Sequence, residues 1–251
     1  ILQILKSNIP VFQGASNPIL KEPILATSHG SNGLGEFNQK TLLQIEKRSA
    51  IQFLIDSLSQ NQSKNFDIIC LGPTTNLALL KIIRPDLIPK INQIIILGGV
   101  FDQKGNITSV AEFNVFNDPL ALKIVLTYDT KITLIPINIC RQVTFTQDEF
   151  NQLINPNISD SFKKIANSYI TYYQSDQKYG GFSGGVMYDL LAISYLINQN
   201  LFKTEGKFVS VNPTGQTLIQ SKQNYNCQLV TKADSVNIKK LFFNSVNKKF
   251  N

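Results

Sequence analysis

Short apolar runs alternate with helical patterns along the middle of the chain, and this alternation limits the fold more than any other feature. The runs FDIICLG (66–72), NQIIILGGV (92–100) and KITLIPIN (131–138) are apolar almost throughout. Such runs are typical of strands that are buried on both faces of a parallel sheet. Repeated strand and helix units with short connections predict an α/β fold with a mainly parallel central sheet flanked by helices.

Capping residues indicate where three of the helices begin. Thr74 or Thr75 can cap the first, Asp118 the second, and Thr146 with Glu149 forms the sequence pattern of a capping box for the third. Further helices are predicted near 158–174, 188–202 and 234–247, and further strands in KFVSVNP, QTLIQ and NCQLVTKA. In a sheet of this kind ligands bind in the loops that follow the carboxyl ends of the strands.

The size and composition of the chain fit one domain, which we expect to cover residues 1–251. Hydrophobic residues make up 43% of the chain and charged residues 16%, enough for a sizeable core. The net charge of +7 arises partly from lysines near the C-terminus, which fit a solvated helix face, whereas a nucleic-acid patch lacks any supporting motif. With no apolar run of membrane-spanning length and no targeting signal, we expect no nucleic-acid or membrane partner and a cytoplasmic location.

The segment GNITSVAEFNVFNDP (105–119) is the richest in polar groups that could bind a ligand. It follows a strand that ends in LGG, and it contains Asn106, Glu112 and Asn114 interleaved with apolar residues. This alternation predicts an extended segment that presents Glu112 and Asn114 on one side. A carboxylate flanked by carboxamides suits a ligand with many hydroxyl groups, but loops collect these residue types in any case, and both interpretations stay open.

Three other positions can carry chemistry, and each also has a simpler interpretation. His29 is the single histidine and can transfer a proton near neutral pH, or it is a polar turn residue. Thr75 stands where a strand turns into a helix, where exposed backbone carbonyls and hydroxyls can coordinate a hard cation or the residue simply caps the start of the helix. Asp189 opens a helix after a glycine-rich loop, and it either complements the helix dipole or projects into a cleft.

Together these segments resemble the inosine–uridine-preferring nucleoside hydrolase family. The similarity covers IPVFQGASNPIL, SHGSNGLGE, GPTTNLALL, the stretch from QIIILGGV to AEFNVFNDP, and YDLLAISY. The resemblance implies Ca²⁺-dependent hydrolysis of the N-glycosidic bond of purine or pyrimidine ribonucleosides to ribose and free base. It also implies a small-molecule nucleoside as the ligand and a possible homo-oligomer.

The resemblance assigns roles to particular residues of this chain. His29 and Tyr188 match catalytic positions near the base. The residues that match ribose-binding positions are Asn106, Glu112, Asn114 and Asp189. The carbonyl of Thr75 and the carboxylate of Asp189 match ligands of the Ca²⁺ ion.

Two departures from the family pattern affect the expected activity. Residues 1–55 contain no aspartate, whereas the resemblance implies an aspartate-rich motif on a first strand that supplies most Ca²⁺ ligands. The first residues, ILQIL, are typical of the end of an amphipathic helix, so we expect an N-terminally truncated domain that lacks the first strand. The family's usual histidine is replaced by Tyr188, a weaker acid at neutral pH or an aromatic residue of the core.

Three hypotheses follow for the function. The chain is part of an active nucleoside hydrolase, or it is a catalytically inactive family member that acts as a structural or ligand-binding subunit. A nucleotide-binding module without hydrolysis ranks last, because no G-x-G-x-x-G motif follows a strand.

Overall fold

The computed structural model describes residues 2–3, 7–26, 33, 41–60, 66–153, 159–175 and 184–247. Its strands are β1 (Phe66–Cys70), β2 (Ile91–Leu97), β3 (Lys131–Ile135), β4 (Thr144–Phe145), β5 (Gly185–Val186), β6 (Phe202–Val211), β7 (Thr217–Gln220) and β8 (Cys227–Ala233). Its helices are α1 (Ala50–Gln60), α2 (Thr75–Ile83), α3 (Phe113–Asn117), α4 (Pro119–Val125), α5 (Ile137–Cys140), α6 (Gln147–Asn151), α7 (Ser159–Ser175), α8 (Tyr188–Ile197) and α9 (Ser235–Asn247).

The main sheet of the described residues is parallel in its first part and antiparallel at one end. Its strand order is β1-β2-β3-β8-β6-β7. Strands β1, β2, β3 and β8 pair in parallel, whereas β6 pairs antiparallel to both β8 and β7. The prediction of a mainly parallel sheet flanked by helices is confirmed. The carboxyl ends of β1, β2 and β3 therefore lie side by side at one edge of the sheet.

The sheet separates two apolar cores, and β2 contributes to both. Ile94 and Ile96 pack on one face against α2 and α4, and Ile95 and Leu97 pack on the other face against α8 and α9. Successive residues of a strand point to opposite faces, so a strand buried on both sides has to be apolar throughout. This is the physical reason for the unbroken apolar run in the sequence of β2.

The predicted helix caps are confirmed at two of three positions. Asp118 accepts a hydrogen bond from the Ala121 N–H, and Thr146 forms the predicted capping box with Glu149. Thr74 precedes α2, but its side chain makes no capping bond, so this prediction was wrong. The hydroxyl of Thr75 is also committed elsewhere, because it donates to the carboxylate of Asp118 at 2.7 Å.

The segment after α8 differs from the sequence prediction. A helix was expected to continue to residue 202, but α8 ends at Ile197 and a short 3-10 turn follows at Gln199–Leu201. Phe202 already belongs to β6, which pairs with β8 over six positions. This long-range pairing overrides the local apolar pattern. The predicted helix end at the N-terminus lies largely outside the described residues, and none of the described helices is long and apolar enough to cross a membrane.

Truncation of an isoleucine in the central strand β2 is expected to destabilise the protein far more than the same change in the outermost strand β7. Ile95 is fully buried in β2, and Ile219 of the edge strand β7 is 45% exposed. Ile95→Ala should lower the free energy of unfolding by about 2–5 kcal/mol, because it leaves a cavity in a closely packed core. Ile219→Ala should cost less than about 1 kcal/mol in the same urea titration. Equal losses would contradict this placement of β2.

Candidate active site

Three of the residues that the sequence singled out, Asn106, Glu112 and Asn114, lie together near the carboxyl ends of β1 and β2. The chain leaves β2 through Gly98 and Gly99 and returns to the same edge at Glu112. Residues 113–117 form the short helix α3 and not the extended segment that the alternation predicted, so that prediction was wrong. The reason is local, because the carboxylate of Glu112 caps the first turn of this helix.

Glu112 is buried and its carboxylate is held by backbone amides. Its Oε1 accepts from the Asn114 N–H at 2.8 Å, and its Oε2 accepts from the N–H groups of Val115 at 3.0 Å and Gly99 at 3.2 Å. The residue is only 3% exposed. Burial, together with a smaller contribution from the negative charge of Asp189, raises the pKa of Glu112 to about 7, although the three amides favour the anion. Glu112 is thus a rigidly oriented acid that titrates near neutral pH.

The two glycines after β2 make this close approach possible. A side chain at Gly98 would lie 3.3 Å from the Oε2 atom of Glu112 and 3.2 Å from Val115. Gly99 has a φ of +81°, in the left-handed region that glycine adopts without strain. The LGG sequence is therefore required for the N–H of Gly99 to reach the buried carboxylate.

Asn114 links the ends of two neighbouring strands. Its Nδ2 group donates to the carbonyl of Leu71, directly after β1, and to the carbonyl of Leu97, the last residue of β2, both at 3.2 Å. These bonds use the N–H groups of the side-chain amide and fix the side chain at the carboxyl ends of β1 and β2. The Oδ1 atom is the remaining group that can accept a hydrogen bond from a ligand hydroxyl.

Asn106 stabilises the same segment from its other end. Its Oδ1 atom accepts from the Phe113 N–H at 2.8 Å, and the residue is half-buried. This bond joins the start of the loop to the first residue of α3. Its amide N–H groups are the donors that could reach a bound molecule.

Thr75 lies in a second group of polar contacts, close to the end of β1. The Oδ2 atom of Asp118 accepts both from the Thr75 hydroxyl and from the Ile19 N–H, the latter at 3.0 Å. Asn117 in turn accepts from the Ile24 N–H at 2.8 Å. Sequence reasoning identified Asp118 only as a helix cap and missed this second role, because the partners are 43 and 99 residues away.

A cavity of about 680 Å³ lies beside this second group. It is lined by the end of β1 and by residues that include Leu71, Thr75, Phe113 and Asn117. Leu71 also accepts the hydrogen bond from Asn114, so the cavity adjoins the segment that holds Glu112. The volume is large enough for a small ligand.

Asp189 belongs to the neighbourhood of Glu112. Its charge acts on Glu112 and also on the buried thiol of Cys140, which is influenced by both carboxylates. Asp189 as a residue is open to solvent, yet the surrounding protein removes enough water from its carboxylate to raise the pKa of Asp189 to about 6. The site therefore contains two neighbouring carboxylates, those of Glu112 and Asp189, and burial raises the pKa of both.

Tyr188 lies against a cluster of tyrosines from α7. Its ring is 5.9 Å from that of Tyr173, whose ring is 4.7 Å from that of Tyr169. Burial and the neighbouring Tyr173 raise the pKa of Tyr188 above its ordinary value, and the positive charge of Arg141 acts in the opposite direction. Sequence reasoning missed Tyr169, Tyr173 and Arg141, although the spacing of four residues on α7 places the two tyrosines on one helix face. His29 lies outside the described residues.

The described residues do not by themselves form a calcium site. They contain no group of three or more His, Cys, Asp or Glu side chains that could hold a metal ion. A Ca²⁺ ion needs about 6–8 oxygen ligands, and Thr75 and Asp189 would provide only a part of them.

Sequence comparison identifies the family. A family profile described as inosine-uridine preferring nucleoside hydrolase matches residues 1–242. The pyrimidine-specific ribonucleoside hydrolase RihB of Shigella flexneri is 30% identical over 216 residues, which cover 84% of this chain and 67% of the relative. This chain belongs to the inosine–uridine-preferring nucleoside hydrolase family. The resemblance seen in the sequence motifs is thereby confirmed, and the family is one of enzymes.

Solved structures of nucleoside hydrolases have the same fold. A plant nucleoside hydrolase superposes with a TM-score of 0.89 at 24% identity, covering 98% of this chain and 83% of that one. A purine-preferring ribonucleoside hydrolase from Gardnerella vaginalis also gives 0.89, at 22% identity, covering 98% and 82%. These likenesses establish the nucleoside hydrolase fold for this chain.

The buried carboxylate is expected to make the stability of this nucleoside hydrolase depend on pH. The pKa of Glu112 is about 7 in the folded protein against an ordinary value of 4.5. At pH values between these two pKa values, Glu112 keeps its proton in the folded protein but has lost it in the unfolded chain. The free energy of unfolding should therefore fall as the pH rises from about 4.5 to about 7, by up to about 3 kcal/mol.

Urea titrations across this pH range measure the effect. Glu112→Gln should remove most of the fall between about pH 6 and pH 7, because the amide does not titrate, whereas Asp189, with a pKa of about 6, contributes mainly below pH 6. Glu205→Gln, at an exposed position paired with Lys207, should keep the wild-type slope. A slope that is the same in all three proteins would show that Glu112 ionises in the folded protein as it does in water.

Proposed function

We propose that this chain hydrolyses the N-glycosidic bond of ribonucleosides and releases ribose and the free base. The family and its ribonucleoside hydrolase relatives indicate this type of reaction. The observation that carries the proposal for this chain is the pair of carboxylates, Glu112 and Asp189, which interact at the carboxyl edge of the sheet beside Asn114. The alternative of a catalytically inactive subunit is not favoured by the relatives.

The ribose side of the reaction needs negative charge and fixed hydrogen-bond partners. Breaking the glycosidic bond builds positive charge on the ribose ring. Glu112, oriented by three backbone amides, and Asp189 supply negative charge that stabilises this state without reorganisation. The Oδ1 atom of Asn114 and the amide of Asn106 are proposed to bind ribose hydroxyls, because their other side-chain atoms are held by hydrogen bonds at the strand ends.

On the base side, Tyr188 is proposed to hydrogen-bond the departing base. Burial raises the pKa of Tyr188 far above its ordinary value, so the phenol stays protonated and acts as a neutral donor. The pyrimidine-specific name of the relatives at 30% identity supports pyrimidine nucleosides as substrates, with purine nucleosides as the competing class. His29 is proposed as a further group near the base.

The remaining features of the proposal concern a cofactor and assembly. Ca²⁺ dependence stays a prediction, and in this chain the carbonyl of Thr75 and the carboxylate of Asp189 would contribute to binding the ion. A homo-oligomeric state and a cytoplasmic location also stay predictions.

Release of ribose from uridine and inosine, with and without Ca²⁺, tests the proposal directly. The protein should release ribose, and Asn114→Ala should lower kcat/KM at least about a hundredfold, because both the ligand contact and the link between two strands are lost. Lys240→Ala, at an exposed position of α9, should leave kcat/KM unchanged.

Two results would contradict the proposal. Ribose release from neither nucleoside, by protein that shows a cooperative unfolding transition, would count against hydrolysis by this chain. Equal effects of Asn114→Ala and Lys240→Ala would count against the ribose contact. Circular dichroism of Asn114→Ala distinguishes a lost contact from a lost fold.

A further inference from the structure

The hairpin formed by β6 and β7 reaches back to the segment that holds Glu112. Thr217, the first residue of β7, lies 117 residues from Val100 in the sequence, yet its hydroxyl binds both backbone groups of that residue. Its Oγ1 atom accepts from the Val100 N–H at 3.1 Å and donates to the Val100 carbonyl at 2.9 Å. Val100 follows Gly99, whose N–H donates to the carboxylate of Glu112. Thr217 therefore holds the chain directly beside one of the three amides that orient Glu112.

Thr217 is the buried exception in an exposed strand. It is 4% exposed, whereas the three residues that follow it in β7 are all exposed to solvent. Its side chain also fills the space over Gly99, where an added Cβ would lie 3.2 Å from both its Cγ2 and Oγ1 atoms. From the side of β3, the Ile137 N–H donates to the carbonyl of Gly99 at 3.0 Å. The chain after β2 is thus held from two sides, and Thr217 supplies the contact from β7.

Two more contacts join the turn of this hairpin to the other end of the same segment. Gln216 forms an isolated antiparallel β-bridge with Ala111, the residue directly before Glu112. Gly215 lies against α3, and an added Cβ there would be only 2.7 Å from the Cα atom of Phe116. The hairpin therefore contacts the backbone before and after Glu112 as well as the end of β2.

The turn that makes these contacts is held in shape by Asn212. Its Oδ1 atom accepts from the N–H groups of Thr214 at 3.1 Å and of Gln216 at 3.0 Å. Its carbonyl accepts from the Gly215 N–H at 3.0 Å. Asparagine commonly stabilises turns by such bonds to the backbone that follows it. The turn is thus a firm support, and it delivers Thr217 to Val100 in a defined position.

We propose that Thr217 is a positioning residue that sets the orientation of Glu112 by fixing the chain at Val100. This inference rests on the proposed function and deepens it, because it names a support for the charge on the ribose side of the site. A carboxylate stabilises the developing positive charge best when it is already in place. A displacement of about 1 Å can cost up to about a hundredfold in rate. Thr217 acts through Gly99 and Glu112 and does not itself contact the substrate.

Two substitutions at position 217 separate the hydroxyl from the packing of the side chain. Thr217→Val keeps the shape but leaves both backbone groups of Val100 without this partner, so the segment moves and takes Gly99 with it. It should lower kcat for uridine about tenfold and change KM less than about threefold. Thr217→Ser keeps the hydroxyl and should return kcat to within about threefold of the wild type. A wild-type kcat in Thr217→Val would overturn the inference.

A matched control and a double variant separate an effect through Glu112 from a general loosening of the hairpin. The Ser210 hydroxyl belongs to the same hairpin and accepts from the Nε2 group of Gln220 at 2.9 Å, so Ser210→Ala removes a hairpin bond and should leave kcat unchanged. In a Glu112→Gln background, Thr217→Val should lower kcat by less than about a further threefold, because both act on one interaction. Full additivity, or equal losses from Thr217→Val and Ser210→Ala, would contradict the inference.

Amide hydrogen exchange of Gly99, followed by NMR, tests the inference without any substrate. If the wild-type protein releases no ribose, the proposed function alone is overturned and this measurement decides the inference. The exchange rate of Gly99 is compared with that of Ile95 in the centre of β2, which reports opening of the whole sheet. Relative to Ile95, Gly99 should exchange at least about tenfold faster in Thr217→Val and at the wild-type rate in Ser210→Ala. An unchanged ratio in Thr217→Val would show that Thr217 does not position this amide.

Discussion

The carboxylate of Glu112, held by three backbone N–H groups at the end of β2, is the interaction on which the geometry of the site depends. This carboxylate caps the first turn of the short helix α3. It also lies so close to the backbone after β2 that glycines are needed at positions 98 and 99. It also fixes the position of Asn114, which in turn holds the ends of β1 and β2 together. A buried acid with these partners cannot be moved without rearranging the whole edge of the sheet.

Around this carboxylate the fold brings together two different kinds of surface. On one side lies the polar segment from Asn106 to Asp118, supported by the core on one face of the sheet. On the other side, α7 and α8 supply Tyr173 and Tyr188 from the core on the opposite face. A nucleoside has the same division, with a polyhydroxylated sugar and an aromatic base.

The sequence predicted the local features of the site better than its contacts. The cap at Asp118 and the capping box at Thr146 were predictable, because each depends on residues within one helical turn. The helix at 113–117 was missed, although its cap also acts within one turn, because glutamate is not among the residues usually found at helix N-caps. The alternation of polar and apolar residues there was mistaken for an extended segment.

By itself the sequence determined the parallel sheet, since strands that are buried on both faces need unbroken apolar runs, and it determined the family through its motifs. Only the tertiary structure decided what the polar side chains do. The hydroxyl of Thr75 binds Asp118 43 residues away, and the ring of Tyr188 packs against that of Tyr173 from a different helix. Such pairs depend on how helices and strands pack across the sheet, and this packing cannot be predicted from a local pattern of residues.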